Sequence, residues 1–229
     1  MIKIENVSVY GLEEAIRGMR NPMNSWEKSD SIFIEDGDYH DILGNFGPAM
    51  GEEKRTEIGP NDHKLMMSLA AGGPVHAKYR RMITVYLDIT APLYWWKEFD
   101  TYKVGTVANS CSTMHKIHAK EFTLEDFSHE HLIGFWETPL RETIEMLNKT
   151  RDLYLESNKK DKELWYRMIQ LLPSSYNQKR TVMLNYEVLV GIYRWRKEHK
   201  LDEWREFCRW IEQLPYSEII IGEKEESNE

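Results

Sequence analysis

The sequence predicts an α+β fold, a small and mostly antiparallel sheet surrounded by several helices. Two observations carry this. Runs rich in β-branched and aromatic residues, free of Gly and Pro, occur at Ile2–Tyr10, Met82–Ile89 and Arg180–Leu184. Between and after them, apolar residues recur at helical spacing over much longer stretches. A chain of 229 residues with 41% hydrophobic and 12% aromatic content buries a sizeable core. No internal repeat or linker divides it, so it reads as one domain over residues 1–229.

In chain order, Ile2, Ile4, Val7 and Val9 alternate well enough for a first strand. Leu12 to Met19 then reads as a short helix, ending in Arg17, Arg20 and Asn21, where the helix dipole favours cations. Residues 26–57 are irregular and punctuated by Gly, a pattern of long loops, with Ile32 to Ile34 as a short strand. Asp36, Asp38, His40 and Asp41 cluster there, without the spacing that puts metal ligands on one element. Pro60 to Ala71 is a helix capped by Asn61 or Asp62, with Leu65, Met66 and Leu69 as its apolar face and Gly72-Gly73-Pro74 as its stop.

The strand Met82–Ile89 follows, with Ala91-Pro92 breaking it and Pro92 in the first turn of a helix carrying Trp95, Trp96 and Phe99. Residues 105–113 are small and polar. The next stretch holds His115, His118, His129 and His131, but neither a Cys pair nor an HExxH, so no metal is expected. Helices are predicted over 135–158, with Pro139 in the first turn, and over 161–172, 185–199 and 201–211. Ile219-Ile220-Ile221 reads as a strand, and the acidic tail 223–229 as frayed.

The net charge of −8 and the pI of 5.6 argue against a surface that binds nucleic acid. Two cysteines, Cys111 and Cys208, make neither a disulfide framework nor a four-Cys zinc site. No signal segment and no long apolar span are visible, so the expected location is the cytoplasm, away from membranes.

The most informative stretch is Val75 to Thr113: Lys78, Arg80 and Arg81, then the strand, Ala91-Pro92, the aromatic helix, and Ser110-Cys111-Ser112. This arrangement resembles the flavin-dependent thymidylate synthases. In that family a strand leads into Ala-Pro and an aromatic helix, which ends in Arg-His-Arg, two residues, Ser, four residues, Ser, one residue, Arg. Superposing Ala91-Pro92 on the family's Ala-Pro places this signature, without a gap, on Thr101-Tyr102-Lys103, Thr106, Cys111 and Thr113. Both outer Arg positions are replaced. Upstream, His76 after Gly72-Gly73 stands for a family His near the flavin. Downstream, Leu172-Pro173, Tyr176, Asn185, Leu189 and Arg196 keep the family's order. One family Arg becomes Glu187, and another, before Leu-Pro, is missing although Arg167 lies close by. The resemblance covers the middle and C-terminal two thirds of the chain.

The resemblance implies a one-carbon transfer to C5 of a pyrimidine deoxynucleotide, dUMP to dTMP or a related modification such as that of a deoxycytidine nucleotide. It also implies FAD as cofactor, NADPH and methylenetetrahydrofolate as co-substrates, and a homotetramer. His76, Lys78, Lys103, Thr106 and Asn185 fall on the cofactor side. Arg80, Arg81, Ser110, Cys111, Ser112 and Arg196 fall on the substrate side, with Cys111 and Arg196 as the catalytic pair.

Each residue also has a plainer reading. Arg80 and Arg81 are equally explained as surface charges, and Arg196 as part of a basic helix end with Arg194 and Lys197. Asn185 is a natural helix N-cap. The Trp95-Trp96 pair suits a core. A thiolate at Cys111 would be a competent nucleophile for C6 of a pyrimidine, yet free Cys is usually buried packing, and packing is the stronger reading. The alternative function is a nucleotide-binding or structural oligomer of the same fold without catalysis.

Overall fold

The computed structural model describes residues 2–33 and 56–222. The cluster Asp36, Asp38, His40 and Asp41 and the acidic tail 223–229 lie outside the described residues. The elements run β1 (Lys3–Tyr10), α1 (Leu12–Arg20), β2 (Ile32–Phe33), β3 (Thr56–Glu57), α2 (Pro60–Ala71), β4 (Thr84–Pro92), α3 (Leu93–Phe99), β5 (Thr106–Ser110), α4 (Thr113–Lys116), α5 (Thr138–Glu156), α6 (Lys162–Leu171), β6 (Asn177–Asn185), α7 (Tyr186–Arg196), α8 (Asp202–Ile211) and α9 (Glu218–Ile221). The α+β expectation holds. A four-stranded sheet has the order β1-β4-β6-β5, and β2 pairs with β3 antiparallel.

Along the sequence the apolar residues shift from even positions (Ile2, Ile4) to odd ones (Val7, Val9). Asn6, between them, has φ 52, a left-handed conformation that Asn tolerates better than most residues. In β4, Val85, Leu87 and Ile89 are buried while their neighbours are not, the period-2 pattern of a sheet with one face covered.

Contacts gather the described residues into two compact units. The first comprises residues 2–8, 86–184 and 195–210. It contains an aromatic cluster in which Trp95 lies 4.9 Å from Trp96, 5.0 Å from Phe99 and 4.8 Å from Trp204, ring centre to ring centre. All four side chains are fully buried. Burial of this kind stabilises by about 1.5–3 kcal/mol per large apolar side chain. The Trp pair is therefore core. A second cluster in this unit packs Ile117, Phe122, Phe127, Leu140, Leu147, Tyr154, Leu164 and Met168.

The other unit comprises residues 9–33, 56–85, 185–194 and 211–222. Its hub is Asp62, fully buried, which pairs with Arg20 at 2.6 Å and accepts from Ser29 and Ser31 hydroxyls and from the Asp30 and Ser31 N–H groups. Arg20 in turn donates to the carbonyls of Ser25 and Lys28. One ion pair thus fixes residues 25–31, the first part of the stretch expected to be irregular. Arg20 is no surface cation at a helix end, as its sequence position suggested.

Several boundaries differ from expectation, each for a local reason. Asn61 and Asp62 do not cap α2. Asp30 does so from a distance, accepting from Asn61 N–H at 2.9 Å and Asp62 N–H at 3.1 Å. Gly59 permits this approach, because a Cβ there would sit 2.3 Å from Asp30. Pro92 is not in the first turn of α3; it ends β4 in an extended conformation and precedes the helix. Residues 106–110, part of the segment read as small and polar, form β5. Pairing with β6 outweighs the low strand propensity of Ala108-Asn109-Ser110. Helix α5 starts at Thr138, after a 3-10 turn over Gly134–Glu137, and has no side-chain cap. Ile219–Ile221 is a helical turn, not a strand. Ile220 and Ile221 N–H both bond to Ser217 O, so the β-branched run satisfies its backbone locally while burying Ile219 and Ile220.

Candidate functional site

Of the residues singled out in the sequence, Lys103, Thr106, Ser110, Cys111, Ser112 and Arg196 belong to the first unit. His76, Lys78, Arg80, Arg81 and Asn185 belong to the second.

In the first unit the ladder between β5 and β6 puts Thr106 opposite Leu184 and Ser110 opposite Arg180. Cys111 is held just past the end of β5 by two backbone bonds. Its N–H donates to Lys179 O and its carbonyl accepts from Gln178 Nε2, each at 2.9 Å. Its thiol-bearing side chain is exposed, whereas Cys208 is buried. The packing reading of Cys111 is therefore overturned; an edge-strand terminus leaves the side chain in solvent. Ser112 caps α4 by accepting from His115 N–H at 3.0 Å. Ser110 and Lys103 are exposed.

Beside this corner stands a cation that sequence reasoning missed. Arg180 lies 4.1 Å over the Trp96 ring, donates from Nε to Gln178 and from Nη1 to Asp100 at 2.7 Å. Trp96 Nε1 donates to Gln178 O. The guanidinium is thus stacked and oriented, and Gln178 links it to the Cys111 carbonyl. An Arg inside a strand-like run gives no signal of this; only the ladder register brings it opposite Ser110.

Thr106 Oγ1 is buried and has no hydrogen-bond partner among the described residues. A buried hydroxyl without a partner is costly and calls for an explanation.

Arg196, at the end of α7, donates from Nη1 to Glu98 at 2.8 Å and from Nε to the Tyr102 hydroxyl at 3.0 Å, with its charge 4.7 Å from the Trp204 ring centre. Glu98 also accepts from Trp204 Nε1 at 2.9 Å. The neighbouring His199 accepts Leu201 N–H at Nδ1, so the neutral ring carries its proton on Nε2, 3.5 Å from the same Glu98 oxygen.

In the second unit Arg80 is buried. Its Nε donates to Glu187 at 2.8 Å and its Nη1 to the Ile219 carbonyl at 3.1 Å. It is not a surface charge. It lines a cleft of ≈ 730 Å³ with His63, Lys64, Met67, Ser68 and Glu218. His63 Nε2 lies within hydrogen-bond distance of Glu218 Oε1, at 2.7 Å. A second cleft, of ≈ 620 Å³, is lined by Arg17, Trp26 and Met82 among others and contains none of the predicted residues. His76 is exposed and packs over Gly72, where a Cβ would meet its ring at 3.1 Å. Lys78 and Arg81 are exposed. Asn185 Oδ1 accepts Val188 N–H at 3.0 Å, the bond of a helix N-cap.

Among the described residues no group of three or more His, Cys, Asp or Glu side chains could hold a metal ion. No helix among them is long and apolar enough to cross a membrane.

The structure is similar to thymidylate synthase X (ThyX) from Helicobacter pylori, solved with FAD and dUMP. The TM-score is 0.65 at 15% identity, over 96% of this chain and 97% of that one. The fold is that of the flavin-dependent thymidylate synthases. A second Helicobacter pylori ThyX structure, complexed with FAD and dUMP, gives a TM-score of 0.61 at 16% identity, over 96% of both chains. No family model matches the chain, and no curated protein matches it in sequence. The ThyX fold extends over the N-terminal third as well, which the sequence resemblance did not reach.

Proposed function

We propose that this chain, as a single ThyX-like domain over residues 1–229, binds FAD and a pyrimidine deoxynucleotide and transfers a one-carbon unit to C5 of the base. The observation that carries this is the similarity to ThyX along nearly the whole of both chains. The substrate is dUMP or a related pyrimidine nucleotide, with NADPH and methylenetetrahydrofolate as co-substrates. The working form is a cytoplasmic homotetramer.

The chain's own residues fit these ligands at specific points. Thr106, at a signature Ser position, offers a buried hydroxyl lacking a partner, which suits a flavin contact. Lys103 is exposed in the same unit and available to that cofactor. His76, Lys78 and Asn185, which the resemblance also puts on the cofactor side, belong to the second unit. Flavin, when bound, supplies the hydride. Exposed Cys111, fixed at its backbone, would attack C6 of the pyrimidine, which makes C5 nucleophilic. Arg180 stands across the ladder from Ser110, a cation at the same end of the strand pair. Ser110 and Ser112 hydroxyls would hydrogen-bond the base or phosphate. Arg196 would hold the phosphate by exchanging Glu98 for it; Arg80 and Arg81, the other arginines that the resemblance puts on the substrate side, belong to the second unit.

A second reading has its own support. Two of the three candidate arginines are engaged by carboxylates, Arg196 by Glu98 and Arg80 by Glu187. This favours the reading without catalysis, a nucleotide-binding or structural oligomer of the ThyX fold. The test is the visible absorption spectrum of the purified protein, repeated after adding FAD and then dUMP. Flavin bands that shift with nucleotide support the enzyme reading, and an assay of C5 transfer then separates it from the second. A colourless protein that takes up no FAD overturns the flavoenzyme reading.

A further inference from the structure

Helix α5 is 19 residues long and buries Leu140, Leu147 and Tyr154 in the second apolar cluster of its unit. On its outer side Pro139, Met146 and Leu153 recur every seven residues, and all three are exposed. A seven-residue repeat keeps side chains on one line of a helix, so the three form a single apolar seam. Thr143, beside it, turns its hydroxyl back onto the Pro139 carbonyl at 2.8 Å and adds no free donor. The apolar surface runs on past the start of the helix. Ile133, Phe135 and Trp136 are each more than two-thirds exposed, and the Phe135 and Trp136 rings meet edge-on at 6.0 Å. Single apolar residues scattered on a surface need no explanation, but a row of them marks a contact surface.

Charges beside the seam follow the same repeat. Glu142 and Lys149 are seven residues apart and exposed, and neither is held by an ion pair or hydrogen bond among the described residues. Their order selects a partner and a direction. Two copies of α5 laid side by side and parallel would set Glu142 against Glu142 and Lys149 against Lys149. Laid antiparallel about a two-fold axis at Met146, they set opposite charges together. Pro139 is seven residues before Met146 and Leu153 seven after it, so each Leu153 meets the partner's Pro139. Glu142 is four before and Lys149 three after, so each Glu142 comes beside the partner's Lys149. One axis thus matches the apolar line and the charged line at once, as a self-complementary contact requires. Phe135 and Trp136 then lie over the C-terminal end of the partner's helix.

We propose that two copies of this chain associate through α5, packed antiparallel about a two-fold axis at Met146. This contact is one interface of the oligomer proposed above, and it does not depend on flavin or nucleotide binding.

The test is the dissociation constant of the full chain by sedimentation equilibrium, for the parent and for variants at three exposed positions. Circular dichroism checks that each variant is folded. Met146→Glu sets two carboxylates on the axis and should weaken association at least about tenfold. Glu142→Lys and Lys149→Glu each remove both ion pairs of the symmetric contact and should weaken it by about two- to thirtyfold. Glu142→Lys combined with Lys149→Glu restores opposite charges and should recover the parent's association, which independent surface changes would not do. A chain that stays monomeric, an oligomer that Met146→Glu does not weaken, or a double variant no better than the single ones overturns the proposal. FAD uptake, read on the same samples, separates it from the functional reading. FAD bound by an oligomer insensitive to Met146→Glu removes this interface and keeps the flavoenzyme. Dissociation by Met146→Glu in a chain that takes up no FAD does the reverse.

Discussion

Arg196 and Glu98 form an ion pair at 2.8 Å on the rim of the aromatic cluster, with Trp204 Nε1 donating to the same carboxylate oxygen. In the proposed site this pair is the competitor of the nucleotide phosphate. The Glu98 side chain is 35% exposed, so the pair is screened and its net worth is only about 0.5–1 kcal/mol. Glu98→Gln keeps an acceptor for Trp204 and removes the charge from Arg196. Nucleotide affinity should then rise by about two- to fivefold, while Arg196→Ala should lower it by about 1–3 kcal/mol. Equilibrium dialysis with dUMP measures both. Unchanged affinity in both variants would remove Arg196 from the site.

Asp62 is the stability hub of its unit. Burial pushes its carboxyl up, but hydrogen bonds from Ser31, Ser29, Arg20 and the Asp30 N–H outweigh this and hold its pKa below the usual value. A depressed folded pKa stabilises above the unfolded value, near about 3.9, and that contribution is lost as pH falls through the lower folded value. Asp62→Asn leaves Arg20 buried at 4% exposure without its counter-charge, so unfolding free energy at neutral pH should drop by about 3–5 kcal/mol. Denaturant titrations should show the difference between parent and variant shrinking below about pH 4. A drop under about 1 kcal/mol at neutral pH would contradict this account.

The helices were legible where apolar spacing, Pro and turn residues agree, as at Pro60–Ala71, and the buried strand was legible from Val85-Leu87-Ile89. What was illegible depends on partners remote in sequence. Strand β5 is polar and exposed and exists through its ladder with β6. Asp30 caps a helix that begins 30 residues later, with 34–55 between. Ile219–Ile221 is β-branched yet helical because its backbone closes on Ser217. The site divides the same way. Cys111, Asn185 and Arg196 are candidates through the resemblance, from their order in the chain. That Arg196 and Arg80 are engaged by Glu98 and Glu187, and that Arg180 lies opposite Ser110, follows only from tertiary contacts.

Thr106 separates a structural from a ligand-binding role. Thr106→Val keeps the side-chain shape and removes a buried hydroxyl that has no partner among the described residues. Without ligand the variant should be as stable as the parent or more so, since a buried unpaired polar atom is lost. If the hydroxyl meets flavin, FAD affinity should fall by about 0.5–1.5 kcal/mol. Thermal melts with and without FAD read both effects. A variant destabilised without FAD would show that Thr106 serves the fold instead.

The two cysteines give a test of access that needs no assay of turnover. Cys111 is exposed at the end of β5, and Cys208 is 2% exposed in α8. In the native protein a thiol-alkylating reagent should modify Cys111 alone, and Cys208 only on unfolding. Mass spectrometry locates the label. If Cys111 lies against the pyrimidine, prior addition of dUMP should slow its modification, and Cys111→Ser should bind nucleotide yet lose turnover, because a hydroxyl is a far weaker nucleophile than a thiolate at neutral pH. If dUMP binds but leaves the alkylation rate unchanged, Cys111 lies outside the pyrimidine site, and the nucleophile must be sought elsewhere or the catalytic reading abandoned for the nucleotide-binding one.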